Sequence, residues 1–152
     1  MKQLTAIVLA GLFSTGVLAQ GADETAPSLD IRAAQDVVLD EYLWLNRLIV
    51  VFANSERDPA FRKQIELLTA RPGDLIERDV MVITDTNPAA QSAIRDRLRP
   101  RGFGLVLIDK DGLIKLRKPS PWDVREISRS IDKTDLRQQE LRDQRAVPIS
   151  EQ

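Results

Sequence analysis

The sequence predicts an α/β domain built on a four-stranded mixed sheet, in the order β-α-β-α-β-β-α, with helices on both faces. Three observations predict it. Two continuous apolar, β-branched runs, Arg47 to Ala53 and Val80 to Asp85, read as strands covered on both faces. The first leads through a proline-initiated helix pattern into the second, so the two are expected to be parallel neighbours joined by a right-handed crossover. Later, Gly104 to Asp109 and Leu113 to Arg117 are separated only by Lys110-Asp111-Gly112, a tight hairpin with glycine where positive φ is needed. A doubly wound sheet would keep alternating strand and helix to its end. The hairpin instead places two antiparallel strands at one side.

The remaining elements follow in order. Between Leu29 and Asn46 the apolar residues Val37, Val38, Tyr42 and Leu45 recur at helix-like spacing, which predicts a short helix ending near Trp44. After the first strand comes the polar loop Asn54-Ser55-Glu56-Arg57-Asp58. Asp58 is placed to cap a helix that starts at Pro59, runs to about Ala70 and buries Phe61, Ile65 and Leu68. Arg71-Pro72-Gly73-Asp74 breaks it. Thr86-Asn87-Pro88 is expected to start a helix reaching about Leu98, which Arg99-Pro100-Arg101-Gly102 stops. A last helix is expected from Ser120-Pro121 to about Ile131, with Trp122 as an apolar staple at its start.

The ends carry no fold signal. Lys2 precedes an uncharged apolar stretch from Leu4 to Leu18, and Val17-Leu18-Ala19 has the short residues of an export cleavage site. Residues 1–19 are thus expected to be a signal peptide and 20–28 a polar tether. The domain proper is expected over 29–133, followed by a charged tail over 134–152, partly helical or disordered. Periplasmic or secreted placement follows, with no membrane span after cleavage. The formal net charge of −1 provides no electrostatic footprint for nucleic acid. The chain contains no cysteine and no histidine. Thiol–disulfide exchange, thiolate metal sites and histidine-based triads are therefore excluded for it, and no cofactor is expected.

The strands and hairpin resemble those of thioredoxin. Val50-Val51-Phe52-Ala53 stands where thioredoxins have the strand entering the active-site loop. The cysteine-glycine-proline-cysteine of that loop falls on Arg57-Asp58-Pro59-Ala60, and the cis-proline position falls on Gly104. The proline survives and both cysteines are gone. A more specific resemblance covers about Trp44 to Glu140. Trp44-x-x-Arg47, Glu77-Arg78-Asp79-Val80, Leu107-Ile108-Asp109-Lys110-Asp111-Gly112 with Lys115, and Ile131-Asp132 followed by Arg137 and Glu140 resemble the exported, thioredoxin-like domain of unknown function numbered 4174. Thr134-Asp135 departs from that pattern, where a Met-Pro-like pair is expected. Similar domains occur in animal extracellular sushi-repeat proteins and in a coiled-coil-named matrix protein. The resemblance implies extracellular placement and, in animals, adhesion or matrix association; it implies no established activity for bacterial members.

The candidate binding residues are Asn54, Ser55, Arg57, Asp58, Asp85 and Gly104. The loop from Asn54 to Asp58 lies where a strand ends and a helix begins, a place that favours an anion, and Arg57 could grip a carboxylate or phosphate. The plainer account is a helix cap with solvated neighbours. Asp85, Asp109 and Asp111 lie near strand ends without calcium-loop spacing and read as turn and cap residues. Arg47, Glu77, Arg78 and Asp79 are expected to form a structural ion pair, and Arg95, Arg97, Arg99 and Arg101 a solvated helix end. The leading expectation is a non-redox binding or envelope-associated module whose partner is another extracytoplasmic protein or a small anionic ligand. The alternatives are a cysteine-independent hydrolase using Asp58 or Asp85, and an envelope role in which the tail from Thr134 docks a partner.

Overall fold

The computed structural model describes residues 28–146; the expected signal peptide and most of the tether lie outside them. Five strands form one sheet: β1 (Ile31–Ala33), β2 (Arg47–Phe52), β3 (Val80–Asp85), β4 (Gly104–Ile108) and β5 (Ile114–Lys118). Their spatial order is β1-β3-β2-β4-β5. β1 and β2 both run parallel to β3, whereas β4 is antiparallel to β2 and to β5. The helices are α1 (Pro59–Ala70), α2 (Pro72–Ile76), α3 (Ala93–Leu98), α4 (Val124–Asp132) and α5 (Asp135–Ala146).

β2 lies at the centre of the sheet, and all six of its residues are buried. Leu48, Val50 and Phe52 point into one core with Met81, Ile83, Ile94 and Leu98. Ile49 and Val51 point into the other, with Leu68, Leu75, Ile127 and Ile131. Cover on both faces explains why β2 and β3 read as unbroken apolar runs and not as alternating ones. The crossover helix α1 begins as expected. The Asp58 carboxylate accepts from the backbone N–H of Ala60 at 2.8 Å and of Phe61 at 3.4 Å. In the hairpin, Gly112 has φ +78°, and the Leu113 N–H donates to Asp111 Oδ1 at 2.9 Å.

Three expectations about helices are corrected. Residues 29–46 form no α-helix; they make the fifth strand β1 and two single 3₁₀ turns, Ala34–Asp36 and Leu39–Tyr42. β3 offers a free backbone edge, and the Val82 N–H donates to Asp30 O at 2.9 Å, so ladder bonds there outweigh a weakly apolar helical stripe. Of that stripe only Val37 is buried, and Val38 and Leu45 are 58% and 64% exposed. The second correction concerns α3. Asn87-Pro88 starts only a 3₁₀ turn ended by left-handed Gln91, and Ser92 is the cap, accepting from the Arg95 N–H at 3.0 Å. Third, α4 starts at Val124 under an Asp123 cap, three residues after Pro121. Trp122 packs on the core, with its backbone N–H on Gln64 Oε1 at 2.7 Å. The break after Ala70 falls where expected, and beyond it Pro72 to Ile76 forms the short helix α2, with Pro72 in its first turn.

The charged stretch after Lys133 is tied to the domain. α5 has little apolar surface of its own, yet Arg137 is buried at 3% exposure. Glu140 receives Arg47 Nη2 at 3.1 Å, Arg137 Nη1 at 3.2 Å and Lys110 Nζ at 3.0 Å. Arg47 is fully buried, and its Nε lies 2.9 Å from Asp109 Oδ1. Arg78 does not pair with Asp79. It grips Asp132 with Nε at 2.8 Å and Nη2 at 2.9 Å, while Asp79 takes Lys110 at 2.7 Å. Partial burial pushes the Glu140 carboxyl up, but the hydrogen bonds from Arg47, Lys110 and Arg137 and the Arg47 charge more than reverse this, leaving it at about 2.

Two measurements test this account. Asp58→Ala is expected to lower stability by about 1 kcal/mol, seen as a lower urea midpoint with an unchanged slope. Because the folded pKa of Glu140 lies below its ordinary value of 4.5, its stabilisation is present above that pH and is lost as pH falls towards 2. Urea midpoints measured over this window should therefore fall more steeply for the unaltered protein than for Glu140→Gln.

Candidate functional site

The carboxyl end of β2 and the amino end of β4 meet because the strands are antiparallel, with Phe52 opposite Gly104. Two left-handed residues, Arg99 (φ +48°) and Gly102 (φ +70°), turn the chain from the end of α3 into β4. The hairpin returns β5 alongside, with Lys118 opposite Leu105 and Arg117 opposite Val106. These three segments enclose an open groove of about 260 Å³, with Phe52, Phe103 and Gly104 in its lining. Arg99, Arg101, Arg117 and Lys118 line it too, and no carboxylate does.

The four cations are held in different ways. Arg117 Nη1 donates to Leu98 O at 2.9 Å, and Lys118 Nζ stands 4.2 Å from the centre of the Trp122 ring. Arg99 and Arg101 are exposed and form no salt bridge among the described residues. Unneutralised charge beside aromatic and backbone surface suits an anion, most of all a carboxylate or phosphate that guanidinium groups can grip with two hydrogen bonds.

Next to the groove, a buried cluster closes the same end of the sheet. Asp85 ends β3 and is 1% exposed. Arg95 Nη2 donates to its Oδ1 at 2.8 Å, and Ser92 Oγ donates to its Oδ2 at 2.5 Å. The same Nη2 reaches Ala53 O and Asp85 O, each at 3.0 Å, and the guanidinium lies 5.4 Å from the Phe52 ring centre. Both Asp85 oxygens are thereby occupied, and the residue ties β2, β3 and α3 together.

Of the residues singled out from sequence, Gly104 lies in the groove. Asn54, Ser55 and Arg57 are exposed on the loop that leaves β2 at this end, where Ser55 Oγ accepts from the Arg57 N–H at 3.2 Å. Asp58 is engaged as the α1 cap, and Asp85 is buried beneath. The four arginines read as a solvated helix end divide into three kinds. Arg95 is structural, Arg97 pairs with Asp40 at 2.9 Å, and Arg99 and Arg101 line the groove. Sequence reasoning missed Arg117 and Lys118. Their signal was the hairpin itself, since antiparallel return from Gly112 carries them back beside Gly104.

Solved structures similar in fold include a thioredoxin, a thioredoxin peroxidase and a 2-Cys peroxiredoxin. Chloroplastic thioredoxin z is 19% identical with a TM-score of 0.53, covering 71% of this chain and 97% of its own. Thioredoxin peroxidase I of Plasmodium yoelii is 16% identical with a TM-score of 0.53, covering 76% of this chain and 86% of its own. The reduced 2-Cys peroxiredoxin of Plasmodium vivax is 14% identical with a TM-score of 0.52, over 69% and 85% of the two chains. Identities this low show the thioredoxin-like fold and nothing of the chemistry. Among curated proteins, coiled-coil domain-containing protein 80 of Danio rerio is 27% identical over 72% of this chain, which spans only 16% of that protein's length. The family model described as Domain of unknown function (DUF4174) matches residues 38–140, which include both the groove and the Arg47 cluster, and the chain belongs to that family.

Proposed function

We propose that this domain is a non-redox binding module that works outside the cytoplasm and takes an anionic group in the groove beside Gly104. The observation that carries the proposal is the lining of that groove, four cations with no acidic neighbour. The absence of cysteine removes the reactive groups that this end of a thioredoxin-like fold would otherwise offer. The carboxylates first suspected of hydrolytic chemistry are committed, Asp58 to the α1 cap and Asp85 to Arg95 and Ser92, so the geometry favours binding. The apolar stretch from Leu4 to Leu18 ahead of Ala19 supports placement outside the cytoplasm. The anion is then a free small molecule or an acidic side chain of another extracytoplasmic protein. Guanidinium recognition is common to both.

Amide NMR titration with inorganic phosphate and with a glutamate-rich peptide tests the groove and separates the two sources. Shifts are expected at Phe103 and Gly104, and Arg99→Glu with Arg101→Glu should weaken binding at least about tenfold, the loss of roughly one charged hydrogen bond. Absence of binding by either ligand, or binding indifferent to the double variant, would overturn the proposal. Export is checked separately by the mass of the protein recovered from outside the cytoplasm, which is expected to begin at Gln20.

A further inference from the structure

Arg99 stands in the basic groove against the preference of its backbone. It closes α3 in the left-handed region, with φ +48° and ψ +59°, and its N–H donates to Arg95 O at 2.8 Å. Helices that end this way use glycine, or sometimes asparagine, because a Cβ is crowded at positive φ. Pro100 adds to the strain, since the residue before a proline favours extended backbone. Among the described residues three other non-glycines are left-handed, Trp44, Asp79 and Gln91, and none of them lines the groove. Nothing in the fold offsets the strain at Arg99. Its side chain is exposed and forms no salt bridge among the described residues. A helix end attracts cations, but Arg95 and Arg97 already occupy the last turn of α3, each paired with a carboxylate.

A second guanidinium reaches the same turn from β5. Arg117 Nη1 donates to Leu98 O at 2.9 Å, and Leu98 is the residue bonded to Arg99. This bond orders Arg117 before any ligand arrives, and both arginines line the groove. Like charges gathered at one turn without a carboxylate repel each other. The floor beside them is open, since a Cβ on Gly104 would meet only Lys118 O, at 4.0 Å. Local strain of this kind persists where a site needs it.

We infer that Arg99 and Arg117 form a two-guanidinium clamp for the phosphate group of a phosphomonoester. The inference rests on the anion reading of the groove and narrows it. One carboxylate has two oxygens and one charge, which a single guanidinium fork can satisfy. A phosphomonoester presents three oxygens and about two negative charges near neutral pH, which matches two forks. A free ester and a phosphorylated side chain offer this same group.

The test is amide NMR titration, read at Phe103 and Gly104, with methyl phosphate, dimethyl phosphate, acetate and a phosphoserine peptide. Methyl phosphate should bind about tenfold more tightly than acetate or the singly charged dimethyl phosphate, a difference of roughly one charged hydrogen bond. Tighter binding of the peptide than of methyl phosphate would assign the group to a protein, and equal or weaker binding to a free ester; both support the clamp. Arg99→Gly should weaken methyl phosphate at least about tenfold and yet raise the urea midpoint with an unchanged slope. Arg99→Lys keeps the charge and the strained backbone, so it should leave the midpoint unchanged and retain only part of the affinity. A lower midpoint for Arg99→Gly, or unweakened binding of methyl phosphate by it, would overturn the inference. Acetate or dimethyl phosphate binding as tightly as methyl phosphate would also overturn it, while leaving the broader anion reading in place. No binding of any of the four would overturn both.

Discussion

A fully buried guanidinium at the first residue of the central strand is the constraint on which the rest of the structure depends. Arg47 cannot sit there uncompensated, because stripping water from a lone charge costs several kcal/mol. Its partners must therefore be brought to it from distant parts of the chain. Asp109 comes from the end of β4, the Arg78 carbonyl from the turn before β3, and Glu140 from α5. Satisfying one side chain thus sets three relations: the pairing of β4 with β2, the entry into β3, and the docking of the tail helix. Removing a single partner would leave part of the buried charge uncompensated, so the members of the cluster depend on one another.

The two ends of the sheet treat charge differently. At the Arg47 end the buried and half-buried cations Arg47, Arg78, Lys110 and Arg137 each have a carboxylate partner. At the far end Asp85 and Arg95 also neutralise each other, but they do so below the surface. What remains on top is Arg99, Arg101, Arg117 and Lys118 with no acidic neighbour in the groove. Asp85 is held below the surface by Arg95 and Ser92, so its charge does not enter the groove lining. The groove lies beside Gly104, next to the loop from Asn54 to Asp58 that leaves β2 at the same end.

Legibility in the sequence followed the range of the forces involved. β2, β3, the Asp58 cap and the glycine of the hairpin rest on local chemistry, and each could be read from a few adjacent residues. β1 could not, because its three residues are exposed and exist as a strand only by pairing with β3, some fifty positions later. The start of α3 at Ser92 was obscured for a related reason. Asn87-Pro88 is an equally good local start signal, and the choice is made by Asp85, which pulls Ser92 and Arg95 together. The groove was half legible. Gly104 marked its floor, but the cations on β5 and the separate fates of Arg95, Arg97, Arg99 and Arg101 depend on which neighbours the folded sheet supplies.

Edge protection bears on what can pair with the sheet. The outer strands are β1 and β5, and exposed edges invite another chain to pair with them. β1 is only three residues long, and β5 carries Lys115, Arg117 and Lys118 along five residues. Both devices discourage backbone pairing. The exposed apolar residues Leu43, Leu113 and Ile114 cluster at the start of β5, where the hairpin leaves β4, and the three basic residues guard the rest of the strand.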